Sequence, residues 1–335
     1  MDVLVVGGTR FVGRKIVESA VARGHEVTLF NRGKTDALAF PGLETLTGDR
    51  TTDASALRGR RWDAVIDVCG YWPRAVEVVA SALEDNVGRY VFVSSISVYS
   101  EASPMGLTED SGVLLEDGDP EATELKMEMY GGLKVLCERT VERWFGDRAL
   151  IVRPGLVVGP GDHSDRFTYW PRRFARTGPF LAPDCLQEPI QVIDGRDLGD
   201  FTVLATEKGL SGGYHVAGPT PPEPFGEFLR SGVEAGGGVA EPVFVPCGWL
   251  AERGVEPWTE LPLISSLTGE PNPLGTVDTS KAVRAGLVQR TMRQTLEDTI
   301  SWWNATREGS EPRAGLSDAK ETALLEEYKA KRATV

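Results

Sequence analysis

Hydrophobic positions in the first half of the chain fall into two alternating rhythms. Short, nearly unbroken apolar runs stand at 2–6, 26–30, 43–47, 62–68, 89–95 and 148–153. Runs of this length, rich in β-branched residues, predict buried parallel strands. Between them, apolar residues recur three or four apart at 12–23, 74–84 and about 129–145, the spacing that gives a helix one apolar face. Strand and helix in alternation predict βαβ units and an α/β fold built on a doubly wound parallel sheet. A further strand at 190–193 and a helix from 197 to about 208 are expected to return to that sheet. The stretch 156–187, rich in Gly, Pro, aromatic and basic residues, reads as a long functional loop region. From 219 to about 290 the pattern loosens into a smaller second lobe, and 287–303 ends in an amphipathic helix. The charged remainder reads as a peripheral tail.

The turn Gly7-Gly8-Thr9-Arg10-Phe11-Val12-Gly13 joins the first strand to the first helix. A glycine-rich turn there offers backbone N–H groups and the positive end of a helix dipole to a phosphate. Strand, turn, helix and second strand follow in the order a dinucleotide site requires, so the sheet is expected to be of Rossmann type. The organisation expected is a dinucleotide-binding domain over 1–155 and 188–218. A substrate-binding lobe would span 156–187 and 219–307, with the tail at 308–335.

Composition narrows the partners. The 335 residues are 41% hydrophobic and 25% charged, ordinary for a soluble globular protein. No apolar run approaches the ~20 residues of a membrane span. Because the chain begins at once with a strand, no signal peptide is expected and a cytoplasmic location follows. A net charge of −13 argues against nucleic-acid and anionic-membrane partners. Cys69, Cys137, Cys185 and Cys247 are widely spaced and the three histidines are scattered. No metal is expected, and the thiols are expected to be reduced.

Against that acidic whole, cations gather near the glycine turn. An acid at the end of the second strand suits the 2′-hydroxyl of NAD, whereas a cation suits the 2′-phosphate of NADP. Here stand Asn31 and Arg32, with Arg10 inside the turn, so NADP(H) is expected over NAD(H). Asp49 and Arg50, closing the third strand, are expected beside the adenine. Cys69 and Gly70, closing the fourth, are expected under the cofactor ribose. For chemistry, Tyr130 and Lys134 lie four apart, on one face of a helix. The ammonium favours the phenolate, so the tyrosine can exchange a proton with a carbonyl or alcohol. Ser95 would add a hydrogen bond to the same oxygen. Gly131 and Gly132, each costing a helix about 1 kcal/mol, suit either a backbone approached by a ligand or a frayed first turn.

These pieces resemble the extended branch of the short-chain dehydrogenase/reductase superfamily, the NAD(P)-dependent epimerase/dehydratase group. The resemblance runs over roughly 1–305. It rests on the turn 7–13, on Ser94-Ser95 before Tyr99, and on Tyr130 with Lys134. Arg153-Pro154 followed by Val158-Gly159-Pro160-Gly161, and Asp197-Leu198, complete it. It implies that Ser95, Tyr130 and Lys134 are the catalytic trio, with Tyr130 the acid/base and Lys134 also on the nicotinamide ribose. It further implies that Gly7, Thr9, Arg10, Phe11, Val12, Gly13 and Pro154 contact the cofactor. Departures are informative too. Arg10 replaces the usual middle glycine, as in an atypical subgroup that includes chloroplast RNA-binding relatives. Ile96-Ser97 stand where dehydratases of the group carry Asp-Glu, and Leu156 and Ile190 stand where nucleotide-sugar enzymes place diphosphate ligands.

The expected activity is hydride transfer between the nicotinamide and a small, moderately apolar carbonyl or alcohol. Trp72, His163 and Arg166 would line the substrate, and the protein would act as a monomer or homodimer. An epimerase that oxidises its substrate transiently is the alternative. A non-catalytic cofactor- or RNA-binding protein is the third reading, opposed by the intact trio and the negative charge.

Overall fold

Val3-Leu4-Val5-Val6 forms strand β1 (Asp2–Val6) with all four side chains buried. A parallel strand covered by helices on both sides has no wet face. Strands β2 (Glu26–Asn31), β3 (Glu44–Thr47), β4 (Trp62–Asp67), β5 (Val87–Val93) and β6 (Ala149–Pro154) follow. With the strand Gly212–Val216 they make one seven-stranded sheet, in the order Gly212–Val216, β6, β5, β4, β1, β2, β3. Every pairing in it is parallel. The computed structural model describes residues 1–333 except 35–38, 84, 113, 123, 270, 271 and 308.

Helix α1 (Phe11–Ala22) and the helix Gly195–Glu207 cover one face, where Ile16 and Val17 share a buried cluster with Leu198 and Phe201. Gly199 permits the close approach: a Cβ there would stand 2.7 Å from the Lys15 carbonyl oxygen. Helices α2 (Pro73–Leu83) and α3 (Tyr130–Phe145) cover the other face, burying Val76, Val79, Cys137 and Val141 with Tyr90 and Phe92. Strand order reverses between β1 and β4, so the crevice outside their carboxyl ends is where such a sheet binds ligands.

The chain folds into two compact units. The first holds Met1–Val157, Val192–Thr220 and Val277–Gln289; the second holds Val158–Gln191, Pro221–Thr276 and Arg290–Val335. Residues 277–289, expected in the second lobe, thus belong with the sheet, where the Asp278 amide donates to the Leu107 carbonyl at 2.8 Å. The expected strand at 190–193 does not join the main sheet. Pro189–Ile190 pairs with Glu223–Pro224, and Val192–Asp194 pairs with Leu156–Val158. The edge beside β6 goes instead to Gly212–Val216.

Within the second unit, the region 156–187 is not merely loop. It contains the helix Tyr169–Phe174 and the strand Gly178–Pro183, which pairs in parallel with Ala240–Val245. Trp170, Phe174, Phe180, Phe225 and Phe228 pack there as an aromatic core. The tail is structural as well. In the helix Asp318–Ala333, buried Glu321 pairs with Arg173 at 3.0 Å and accepts the Leu181 amide at 3.0 Å. The expectation of four reduced thiols is also corrected: Cys185 and Cys247 form a disulfide with Cα atoms 6.3 Å apart. The parallel pair bracketed by these cysteines brings together residues 62 apart in sequence. Cys69 and Cys137 remain thiols.

Candidate cofactor and active site

The glycine turn lies at the carboxyl end of β1. Gly7 and Gly8 have φ of +108° and +89°, a region open to glycine without strain. The Gly7 amide donates to the Phe30 carbonyl at 2.9 Å. Gly13 rests on Gly8: a Cβ at 13 would stand 2.8 Å from the Gly8 nitrogen. Arg10 is the N-cap of α1 but makes no side-chain cap, and no acid occupies the first turn. The first turn therefore keeps its positive end uncovered by a carboxylate, which fits a pyrophosphate.

Beside the turn opens a cavity of about 220 Å³ lined by Thr9, Leu29, Asn31, Gly33, Phe40, Thr45 and Thr47. Asn31 shapes its rim, its side-chain oxygen accepting the Gly33 amide at 2.8 Å. Arg32 and Arg10 are exposed and make no ion pair with a described residue. Asp49 accepts both the amide and hydroxyl of Thr51, at 3.0 and 2.6 Å. Those bonds, with Arg32 and Lys34 adding their charge, hold its carboxyl below the usual range. Sequence reasoning missed Phe40, Thr45 and Thr47. The two threonines could have been found, because alternate residues of a strand share one face.

Arg50 is the clear correction. Its guanidinium is not presented to an adenine but lies buried against Asp67, with paired bonds of 2.5 and 2.6 Å and a 3.1 Å contact to Cys69 Sγ. Tyr90 Oη and the Cys69 amide also donate to Asp67, at 2.8 and 3.1 Å. Burial alone would raise the Asp67 pKa, but the Arg50 charge and these hydrogen bonds outweigh it and lower it. Cys69 Sγ lies close to Gly7, where an added Cβ would come within 3.3 Å of it. Gly70 is filled by the Phe92 ring, 2.5 Å from where its Cβ would be. Pro154 is buried at the end of β6, opposite Val216.

At the carboxyl end of β5, Ser95 follows the strand and Lys134, with Tyr130 beside it, reaches the Val93 carbonyl. Ser95 caps the short turn Ile96–Val98 that follows the strand. Tyr130 opens α3, and Lys134 lies one turn on. Lys134 is buried, and its ammonium donates to the Val93 carbonyl at 2.9 Å. The ammonium stands 4.7 Å from the Phe92 ring centre, 5.2 Å from that of Tyr71 and 5.9 Å from that of Tyr130. Burial lowers its pKa, while Cys137, Tyr71 and Asp67 push it back up. The two helix glycines owe their place to neighbouring backbone rather than to a ligand. A Cβ at Gly131 would sit 2.0 Å from the Ser97 carbonyl oxygen, and one at Gly132 would sit 2.5 Å from the Gly118 nitrogen.

Trp72 belongs to the first unit, whereas His163 and Arg166 belong to the second. The Trp72 ring meets Tyr71 edge-on at 6.1 Å, and its buried indole nitrogen has no hydrogen-bond partner among the described residues. In the segment 162–167, Asp165 is buried and paired with Arg307 at 2.5 and 3.1 Å, and Phe167 is core. His163 and Arg166 remain exposed there. Among the described residues no cluster of His, Cys, Asp or Glu is placed to hold a metal, and no helix is long and apolar enough to cross a membrane.

Comparison with known proteins agrees with the geometry of the turn. Residues 7–118 match the NAD(P)H-binding family. The chain is 26% identical over 264 residues to the chloroplast stem-loop binding protein of 41 kDa b of Arabidopsis thaliana. That match covers 72% of this chain and 65% of the relative, just under two thirds of its length. It is 28% identical over 265 residues to the 2′-dehydrokanamycin reductase of Streptomyces kanamyceticus, covering 76% of this chain and 72% of that one. Its fold superposes on the human epimerase family protein SDR39U1, solved with NADPH, with a TM-score of 0.61. That superposition covers 90% of this chain and 99% of the human one at 20% identity. The chain thus carries an NAD(P)H-binding family region at 7–118 and has the fold of solved epimerases such as SDR39U1.

Proposed function

We propose that the protein is an NADP(H)-dependent reductase or dehydrogenase of small carbonyls and alcohols, with Tyr130 as its acid/base. The observation that carries this reading is the Tyr130–Lys134 pair, one helical turn apart, with a buried ammonium beside the phenol ring. When bound, the nicotinamide supplies or accepts the hydride. In the reducing direction Tyr130 gives its proton to the substrate oxygen, and the Lys134 charge steadies the phenolate left behind. Lys134 also holds the ribose. The turn 7–13 seats the pyrophosphate, and Asn31, Thr45 and Thr47 surround the adenosine. Arg32 and Arg10, exposed and without ion pairs among the described residues, take the 2′-phosphate. The human relative of like fold, solved with NADPH, supports that cofactor. Trp72 contributes to the substrate side.

Two variants test the reading. Arg32→Ala is expected to weaken NADPH binding by about 1.5–3 kcal/mol, the worth of a charge-assisted hydrogen bond, and to spare NADH. Tyr130→Phe is expected to bind NADPH normally while turnover falls roughly 10²–10⁴-fold. Fluorescence titration giving equal affinities for both cofactors, unaltered in Arg32→Ala, removes the NADP assignment. Full turnover by Tyr130→Phe removes the acid/base.

A further inference from the structure

Ser95 comes to this site already engaged. Its hydroxyl accepts the Ser97 amide at 3.0 Å and donates to Ser97 Oγ at 3.0 Å. A serine hydroxyl has one proton to give, and here it is given within the turn. A second phenol stands close by. Tyr71, two residues beyond Cys69, has its ring centre 6.4 Å from that of Tyr130. The Lys134 ammonium is 5.2 Å from the Tyr71 ring centre, nearer than it is to Tyr130. Tyr71 is half-buried, and its hydroxyl makes no hydrogen bond to a described residue.

We propose that Tyr71 is a second catalytic phenol, donating to the substrate oxygen, beside Tyr130, the hydrogen bond that Ser95 spends on Ser97. The inference rests on the reading of Tyr130 and Lys134 given above. During reduction one proton leaves Tyr130 for the oxygen as the hydride reaches the carbon. Tyr71 keeps its own proton throughout and only shares it, so it emerges unchanged. Burial raises the Tyr71 pKa, and the nearby Lys134 charge only partly offsets this, so Tyr71 stays a protonated donor. Two phenols beside one ammonium do not both ionise readily, which divides the roles: Tyr130 transfers a proton, and Tyr71 donates a hydrogen bond.

The test compares wild type, Tyr71→Phe and Tyr71→Leu in three measurements. These are NADPH binding by fluorescence, NADPH-dependent reduction of 4-nitrobenzaldehyde, and binding of 4-nitrophenolate, an oxyanion mimic, to the cofactor-free protein by its visible absorption. Tyr71→Phe keeps the ring, so it is expected to retain wild-type melting temperature and NADPH affinity. Its kcat is expected to fall about 10²-fold, as when one preorganised oxyanion donor is lost, and its 4-nitrophenolate affinity to fall with it. Tyr71→Leu is expected to lose no more in kcat than Tyr71→Phe. Wild-type values of both kcat and phenolate affinity in Tyr71→Phe overturn the proposal, as does wild-type protein that binds no phenolate. Failure of wild type to bind NADPH instead overturns the parent reading, while the phenolate arm still reports on Tyr71.

Discussion

At the carboxyl end of β4, Asp67 is fully buried and its main partner is the guanidinium of Arg50. Removing one member of such a pair leaves an uncompensated charge, so Arg50→Met is expected to cost about 3–5 kcal/mol in urea unfolding. The double variant Arg50→Met/Asp67→Asn should recover part of that loss. The Asp67 pKa is lowered by folding, so the pair stabilises the protein above the ordinary carboxylate range. That contribution fades as pH falls through the lowered value, and the acid limb of a stability curve should flatten in the double variant. Lys134 carries the opposite sign. Folding lowers its pKa, so the charged form is disfavoured and wild-type stability climbs as pH rises from that lowered value toward the ordinary lysine range. Lys134→Met should lack this climb and melt no lower than wild type at neutral pH, although cofactor binding and turnover collapse. A clear drop in its neutral melting temperature would show that the ammonium is held for stability.

At the scale of elements, α3 shows why a residue count is a poor guide to helix stability. Replacing a helical glycine by alanine ordinarily adds about 1 kcal/mol. At Gly131 the new Cβ would meet the Ser97 carbonyl oxygen at 2.0 Å, so Gly131→Ala is expected to destabilise by roughly 1–3 kcal/mol. A raised melting temperature would contradict that packing. The helix itself was legible, because its apolar spacing is local; the reason for its glycines was not, because Ser97 and Gly118 approach from elsewhere in the chain. The same division runs through the rest. Strands β1, β2 and β4 could be read from continuous apolar runs. Gly212–Val216 could not, since Gly212 and Gly213 take the first two places of the strand and leave only Tyr214, His215 and Val216 to signal it. In the site, the turn 7–13 and the pair Tyr130–Lys134 announce themselves by spacing. Arg50 was misread because only the folded chain shows Asp67 beneath it. The bond of Cys185 to Cys247 depends on a pairing of distant strands that no local pattern records.

For the molecule as a whole, that bond closes a loop between cysteines 62 residues apart. Its removal by Cys185→Ser/Cys247→Ser is expected to cost about 2–4 kcal/mol. Hydrogen exchange should locate the loosening at Gly178–Pro183 and Ala240–Val245, and protection unchanged in both strands would mean that the β-pairing alone holds them. The partition into two units has a different consequence, one for synthesis. Each unit is assembled from three separated stretches of chain. A nascent chain that has emerged only as far as Val157 contains β1 to β6 but lacks the edge strand Gly212–Val216 and the helix Gly195–Glu207. The apolar face of α1 meant for that helix is therefore uncovered while translation continues, at about 5–20 residues per second. Neither unit corresponds to a contiguous gene fragment, so expressing either half alone yields a chain missing part of its own core. The first unit is complete only when residue 289 has left the ribosome, and the second only when the final helix has followed it.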